Sequence, residues 1–326
     1  MDKQEYDAII IGGGIAGLQA AIQLGRSLRK VVVIDKGEGR STLCRSYHNV
    51  LGYPNGISGE ELRYIGRGQA EKVGVQFVLD EAVDAKRLQD GRFEVTGKLS
   101  GVYRCDELLI ATGIADRLPE VPGLKPCLGK TIYICPDCDG YEVKNKSTVV
   151  IGSGGTGAGM AVSLLYFTDR VTLVNHVWEG GPAKAIPPEL EQQLRAGGVD
   201  IVTGTIAEVV TKGDGEFQAV RLTDGRELAG ERGFASFGGN TVNTKLFQLL
   251  GAERMESGHV VVEPRTQMTS VPGLFAAGDV AVHSEQLTIA MGNGQQAAIW
   301  IHKRLKERDK KRAGGSAANA AAAGAR

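Results

Sequence analysis

The stretch YDAIIIGGGIAGLQAAIQLGRSLRKVVVID, Tyr6 to Asp35, decides how the chain folds. Tyr6 to Ile11 is a continuous apolar run that reads as a strand, and Ile15 to Leu28 reads as a helix. Lys30 to Ile34 is a second strand, β-branched and unbroken, as strands buried on both faces of a sheet tend to be. Between the first strand and the helix stands Gly12-Gly13-Gly14-Ile15-Ala16-Gly17. Glycines at this spacing let the backbone turn tightly, approach a pyrophosphate closely and pack the helix on the sheet. The phosphate charge then meets free N–H groups at the helix N-terminus. Asp35 ends the next strand 18 residues after Gly17, where a carboxylate accepts hydrogen bonds from a ribose. A glycine-rich turn with no ligand is the competing reading, and the strand–turn–helix–strand context argues against it.

A second copy of the pattern begins at Thr148. TVVIG is followed by Gly152-Ser153-Gly154-Gly155-Thr156-Gly157, a helix to about Phe167, and the strand RVTLV at 170–174. Here the acidic residue at the strand end is missing: Asn175, His176, Val177 and Trp178 follow Val174. These positions supply no carboxylate for a ribose and no arginine for a 2′-phosphate. Gly152, Gly154 and Gly157 thus mark either a true nicotinamide site or a retained scaffold with an altered pocket.

Two such units predict an α/β chain with two Rossmann-like dinucleotide-binding domains, the second inserted into the first. Gly113 to Gly123 (GIADRLPEVPG) and Phe237 to Thr244 (FGGNTVNT) read as the two linkers. The expected boundaries are 1–115 with 245–312 for the first domain and 117–243 for the insert. A short helix follows the return linker, then a strand LFAAGDV at 274–280 and a helix from about Gln286 to Glu307. The Ala/Gly/Ser segment 313–326 has no periodicity and is expected to be disordered.

Composition adds limits. The 326 residues carry 38 Lys+Arg against 38 Asp+Glu, so net charge gives no reason to expect nucleic acid or a membrane surface as partner. Glycine is abundant (46) and aromatics scarce (6%), which suits many strand-to-helix turns better than a β-sandwich. The apolar run from residue 8 to 25 lacks a basic flank and is interrupted by glycines and glutamines, so it reads as a buried strand plus helix. Five cysteines without a regular framework argue against secreted disulfide packing and for a cytoplasmic protein.

Only Cys135 and Cys138 have motif spacing, in Cys135-Pro136-Asp137-Cys138-Asp139-Gly140. Two cysteines three apart close a small disulfide when the second opens a helix, and a helix N-terminus lowers the pKa of a nearby thiol. A zinc half-site would need a second Cys or His pair, which the neighbouring sequence lacks, so no metal is expected. Two unrelated buried cysteines or a surface turn are the remaining alternatives. Beside a dinucleotide fold, redox chemistry is the stronger reading.

In this order the pieces resemble the low-molecular-weight thioredoxin reductases, over nearly all of residues 5–308. Asn49-Val50-Leu51-Gly52 with Gly56-Ile57-Ser58-Gly59 matches a stretch near the FAD in that family, and Ala111-Thr112-Gly113 the strand end that closes its FAD domain. Phe275-Ala276-Ala277-Gly278-Asp279-Val280 matches the second FAD motif, whose Asp binds the ribityl–pyrophosphate region. Gln286, followed by Leu287, sits where the family places a residue against the flavin ring. The resemblance implies an FAD site built from Gly12, Gly14, Ile15, Ala16, Gly17, Asp35, Asn49, Thr112, Gly113, Gly278, Asp279, Gln286 and Leu287. It also implies catalysis by Cys138 facing the flavin, Cys135 exchanging with the partner's sulfur, and Asp139 moving the thiol proton. The implied partner is a thioredoxin-like protein or a small dithiol or disulfide, and the implied assembly is a homodimer.

The family's basic His-Arg-Arg…Arg motif for NADPH is replaced by Asn175-His176-Val177-Trp178…Gly181, so a pyridine-nucleotide-independent branch is expected. Relatives without that motif include ferredoxin- or flavin-linked disulfide reductases and dithiol oxidases that return electrons to oxygen. Trp178 could stack on an aromatic ring, so a second dinucleotide or even a second flavin is a further expectation. The leading expectation is a reductase working through FAD and the Cys pair; a dithiol oxidase and a non-turnover flavin redox sensor are the alternatives. His48 and His283 read as hydrogen-bonded structural histidines, and Cys44 as a small buried residue.

Overall fold

The computed structural model describes residues 4–178, 181–282 and 284–323, with side chains as far as residue 313. The chain forms two compact units: Met1–Ser41 with Glu61–Ala115 and Val242–Arg326, and Thr42–Glu60 with Asp116–Thr241. Residues 42–60 thus group with the insert, although the sequence reading keeps them in the first domain. The tie is local: Ser46 N–H donates to the Gly129 carbonyl (3.1 Å), and Gly129 offers no Cβ to obstruct Cys44 and Arg45.

In the first unit, strands Gln76–Leu79, Val31–Asp35, Gln4–Ile11 and Gly101–Ile110 lie side by side and parallel. The antiparallel strands Phe93–Gly97 and Ala82–Arg87 extend one side of this sheet, and Leu274–Ala276 pairs parallel with Gly101–Ile110. Alternation along the first strand explains why its Ala8–Ile11 stretch is apolar at every position. Ile9 and Ile11 join a core with Leu108, Phe247 and Val260, while Ala8 and Ile10 join the opposite one. That second core takes small residues from two helices, Ile15–Arg26 and Leu287–Ala323: Ala16, Ala20, Ala297 and Ala298 are all buried there. Small side chains let these helices approach closely, and a Cβ on Gly294 would overlap the Ala16 backbone.

Two expectations are corrected in this unit. The strand expected over 274–280 stops at Ala276, because the chain turns at Gly278 with φ +77°. The last helix does not end near Glu307 but runs to Ala323, through much of the segment expected to be disordered. Lack of amphipathic periodicity is no obstacle where alanine, the best helix former, dominates.

The second unit has a five-stranded parallel sheet in the order Asp200–Gly204, Val171–His176, Thr148–Gly152, Arg232–Ser236, Ile132–Tyr133. The helix Gly154–Leu164 packs Ala158, Ala161 and Leu164 on one face. On the other face lies an antiparallel trio, Ile206–Lys212, Glu216–Leu222 and Glu227–Ala229. Both units are Rossmann-like, and the chain is α/β.

Because both faces of the first sheet are covered, neighbouring residues of one strand should be equally costly to truncate. Ile9→Ala and Ile10→Ala are each expected to lose about 2–5 kcal/mol by urea denaturation. A marked difference between them would show that one face is less buried than described.

Candidate active site

The first glycine loop is shaped by backbone contact. Gly12 has φ +103°, and a Cβ there would overlap the Ala111 carbonyl; a Cβ on Gly17 would overlap the Gly12 carbonyl. The helix Ile15–Arg26 begins here with no side-chain cap and no acid in its first turn, so its leading N–H groups and partial positive charge face outward. Nothing lies within 4 Å of where a Gly14 Cβ would stand. Asp35 accepts from Gly13 N–H (2.9 Å) and pairs with Arg63 (2.7 Å), which the sequence reading missed.

These features fit FAD: an open anion cradle at Ile15, Ala16 and Gly17, with a fixed carboxylate at Asp35 beside it. Asp279 and Glu285 share Arg40, and Leu287 is buried at the start of the last helix. Thr112 is engaged in fixing the chain's return: its hydroxyl donates to the Asn243 carbonyl (2.7 Å), and the Asn243 amide donates to the Thr112 carbonyl (2.9 Å). Gly113 accepts from Asn243 N–H in the same knot. Gln286 N–H donates to the Ser284 carbonyl. Asn49 is exposed and belongs to the second unit. His283 lies outside the described residues.

The second loop has the same turn and a different surround. Gly152 and Gly157 are in backbone contact, as Gly12 and Gly17 are. Sheet register sets Ile151 opposite Val174 as it sets Ile11 opposite Ile34, so Asn175 takes the position of Asp35. Asn175 is buried, and both ends of its amide are used: Oδ1 accepts from Gly154 N–H (2.8 Å) and Nδ2 donates to the Lys184 carbonyl (3.0 Å). The chain thereby tied down covers the loop. A Cβ on Gly154 would stand 2.8 Å from Lys184 Cβ, and one on Gly155 would stand 3.2 Å from Pro187 Cδ. Trp178, expected to stack on a ligand ring, has neighbours of its own. Its ring meets His176 and Phe237 edge-on (5.0 and 5.8 Å), and the Arg117 guanidinium lies 4.8 Å over it. Arg117 comes from the linker, where strand-end spacing gives no signal for it.

The Cys135–Cys138 segment is a single turn. Cys135, not Cys138, precedes the short helix Pro136–Asp139, and proline suits the first helical position because its missing N–H is unneeded there. The carbonyl of Cys135 accepts from the N–H groups of Cys138 and Asp139 (3.2 and 3.0 Å). A hydrogen bond from the Cys138 side chain, helped by Cys138 N–H, holds the Cys135 thiol below its ordinary pKa against the cost of burial. Burial, with the Glu142 charge adding to it, pushes the Asp139 carboxyl up to about 7. Cys44 lies beside Asp139 and is pushed up to about 12, first by burial and then by the Asp139 charge. Cys105 and Cys127 are buried core thiols.

A dinucleotide cradle in one unit and a CxxC turn with a raised carboxyl in the other define a disulfide oxidoreductase. Comparison with known proteins agrees. The family model for pyridine nucleotide-disulphide oxidoreductases matches residues 6–294. Thioredoxin reductase from Treponema pallidum (strain Nichols) is 34% identical over 304 residues, spanning 91% of this chain and 96% of that protein. Among solved structures, HlmI superposes with a TM-score of 0.83 at 28% identity over 97% of both chains. Thioredoxin reductase from Streptococcus pyogenes MGAS5005 gives 0.82 at 26%, covering 94% of this chain and 100% of that one. The chain belongs to the pyridine nucleotide-disulphide oxidoreductase family, as a thioredoxin reductase-like FAD enzyme of the low-molecular-weight type.

The raised carboxyl has a stability signature. A native pKa above the unfolded value means the folded state holds the proton more tightly, so stability falls as pH rises from about 4 to about 7. Asp139→Asn removes that loss. At pH 8 it should exceed the parent by about 1–3 kcal/mol in chemical denaturation, and match it near pH 4. Equal stabilities at both pH values would contradict the shift.

Proposed function

We propose that this enzyme moves electrons between FAD and a disulfide or dithiol through Cys135 and Cys138, with Asp139 as the acid–base group, and does not draw them from NADPH in the usual way. The observation that carries the proposal is the covered second loop, where Asn175 anchors Lys184–Pro187 against Gly154 and Gly155. A pyrophosphate needs that space and those N–H groups. Bound FAD supplies two-electron redox chemistry, and the chain's own groups do the thiol work.

In the direction of disulfide reduction, the Cys135 thiolate attacks one sulfur of the partner. The partner's S–S bond breaks and its other sulfur leaves as thiolate. Cys138 then passes its proton to Asp139 and attacks the Cys135 sulfur, releasing the second partner thiolate and closing the Cys135–Cys138 bond. The lowered pKa of Cys135 supports it as the attacking thiol. The family resemblance supports a thioredoxin-like protein as partner, a homodimer as assembly and the cytoplasm as location.

A second reading follows from the same covered loop. Electrons barred from entering as a nicotinamide can enter as thiols, and the enzyme would then oxidise a small dithiol to its disulfide while oxygen is reduced to hydrogen peroxide. The flavin colour separates the two. Anaerobically, a dithiol is expected to bleach it and NADPH to leave it unchanged within the mixing time. Prompt bleaching by NADPH would overturn the proposed independence from it. Recovery of colour in air with peroxide release selects the oxidase, and recovery only with a protein disulfide selects the reductase. Cys138→Ser should abolish bleaching by dithiol.

A further inference from the structure

Glu142 follows Asp139 by three residues, on the short 3₁₀ turn Gly140–Val143 that continues the redox helix. Its Oε1 lies 3.5 Å from His48 Nδ1, and His48 Nε2 lies 3.0 Å from Ser46 Oγ. The ring thus stands between the two groups, Nε2 at the serine hydroxyl and Nδ1 facing the Glu142 carboxylate at ion-pair distance. Room for the imidazole comes from Gly56, at φ +78°, where a Cβ would overlap Ser46 Oγ and stand 2.9 Å from the ring. The loop bearing both residues is closed by the reciprocal backbone pair Tyr47–Ile57 (2.7 and 3.2 Å). Asp139 and Glu142 are both partly buried, the Glu142 side chain at 25% exposure, and His48 is more open at 41%.

We infer that Glu142, anchored by His48, is a positioning residue that keeps a proton on the Asp139 carboxyl for delivery to the Cys138 sulfur. The inference rests on the exchange chemistry proposed above. When a dithiol reduces the enzyme, its thiolate attacks Cys135 in the Cys135–Cys138 disulfide. The S–S bond breaks, and the electron pair leaves on the Cys138 sulfur, which takes the proton from Asp139. The substrate's second thiolate then displaces Cys135. A carboxyl with an ordinary pKa would hold no proton to give at neutral pH. The Glu142 charge opposes ionisation of Asp139, and the His48 ring at ion-pair distance keeps that charge in place instead of letting the side chain swing into solvent. The other groups facing this cluster are the thiols of Cys44 and Cys135 and the Tyr133 phenol beside Asp139, Asp137 beside Cys135, Arg232 beside Tyr133, and the Lys146 ammonium, which donates to the Glu142 backbone carbonyl (2.9 Å). Among these described neighbours, Glu142 is the one whose charge acts on Asp139 most strongly.

The test follows flavin reduction by dithiothreitol in the FAD-loaded enzyme, with rates normalised to thiolate concentration, across the neutral pH range. In the parent the rate should fall as pH rises through about 7. In Glu142→Gln that fall should move to lower pH by about one unit, and Glu142→Asp should restore it. His48→Ala should move it the same way by less, with free imidazole reversing the change. A difference-infrared titration of the Asp139 carboxyl band, identified by its loss in Asp139→Asn, should shift in parallel. An unmoved or upward-moved fall in Glu142→Gln would overturn the inference, and His48→Ala carries the same decision should Glu142→Gln not fold. Cys138→Ser keeps the two levels apart. If it still bleaches with dithiol, the exchange chemistry itself is wrong. If it is inert while Glu142→Gln keeps the parent's profile, only the role of Glu142 falls.

Discussion

The structure depends on backbone touching backbone at two strand-to-helix turns. At Gly12 and Gly17, and again at Gly152 and Gly157, the chain passes so close to itself that no side chain fits. Each turn ends a buried parallel strand and starts a helix whose N-cap residue gives no side-chain cap. Because the obstruction is backbone, no rotamer change relieves it, and a larger residue would have to displace the helix from its sheet. These two contacts fix where the leading helix N-terminus of each unit lies.

Sharing a turn does not mean sharing a ligand. At the first loop the space beyond Gly14 is open and the residue after the strand is the carboxylate Asp35. At the second, the matching residue is the neutral Asn175. A carboxylate has no N–H to give, whereas the amide both accepts from Gly154 and donates to the Lys184 carbonyl. The exchange of one oxygen for an NH₂ therefore removes a ribose acceptor and gains a tie that draws Lys184–Pro187 over the loop.

Features set by local spacing were legible in the sequence. The glycine loops, the apolar strands and the Cys135–Cys138 pair each declare themselves within a few residues, and Glu142 stands one turn beyond Asp139. What escaped was long-range and polar. Arg63 reaches Asp35 across 28 residues, Arg117 covers Trp178 across 61, and His48 meets Glu142 across 94. No periodicity encodes such pairs, since a polar residue at a surface position is compatible with many neighbours. The grouping of residues 42–60 with the insert was hidden for the same reason, because it rests on single contacts such as Ser46 to Gly129. The helix beyond Glu307 escaped differently: alanine forms helix without a buried face, so amphipathic pattern is silent there.

The electrostatics of the Cys135–Cys138 turn also differ from one thiol to the next. Three cysteines lie around Asp139, and indiscriminate exchange among them would trap a wrong disulfide. Cys135 is held below its ordinary pKa by hydrogen bonds from Cys138, which favour its thiolate directly. Cys44 has burial against it, and the Asp139 charge opposes its ionisation further. The nucleophile in thiol–disulfide exchange is the thiolate, so at neutral pH Cys44 contributes almost none of it. The desolvated surroundings that raise the Asp139 carboxyl therefore also hold the neighbouring Cys44 thiol protonated. One physical cause, burial of an anion beside other ionisable groups, raises both the carboxyl and the thiol.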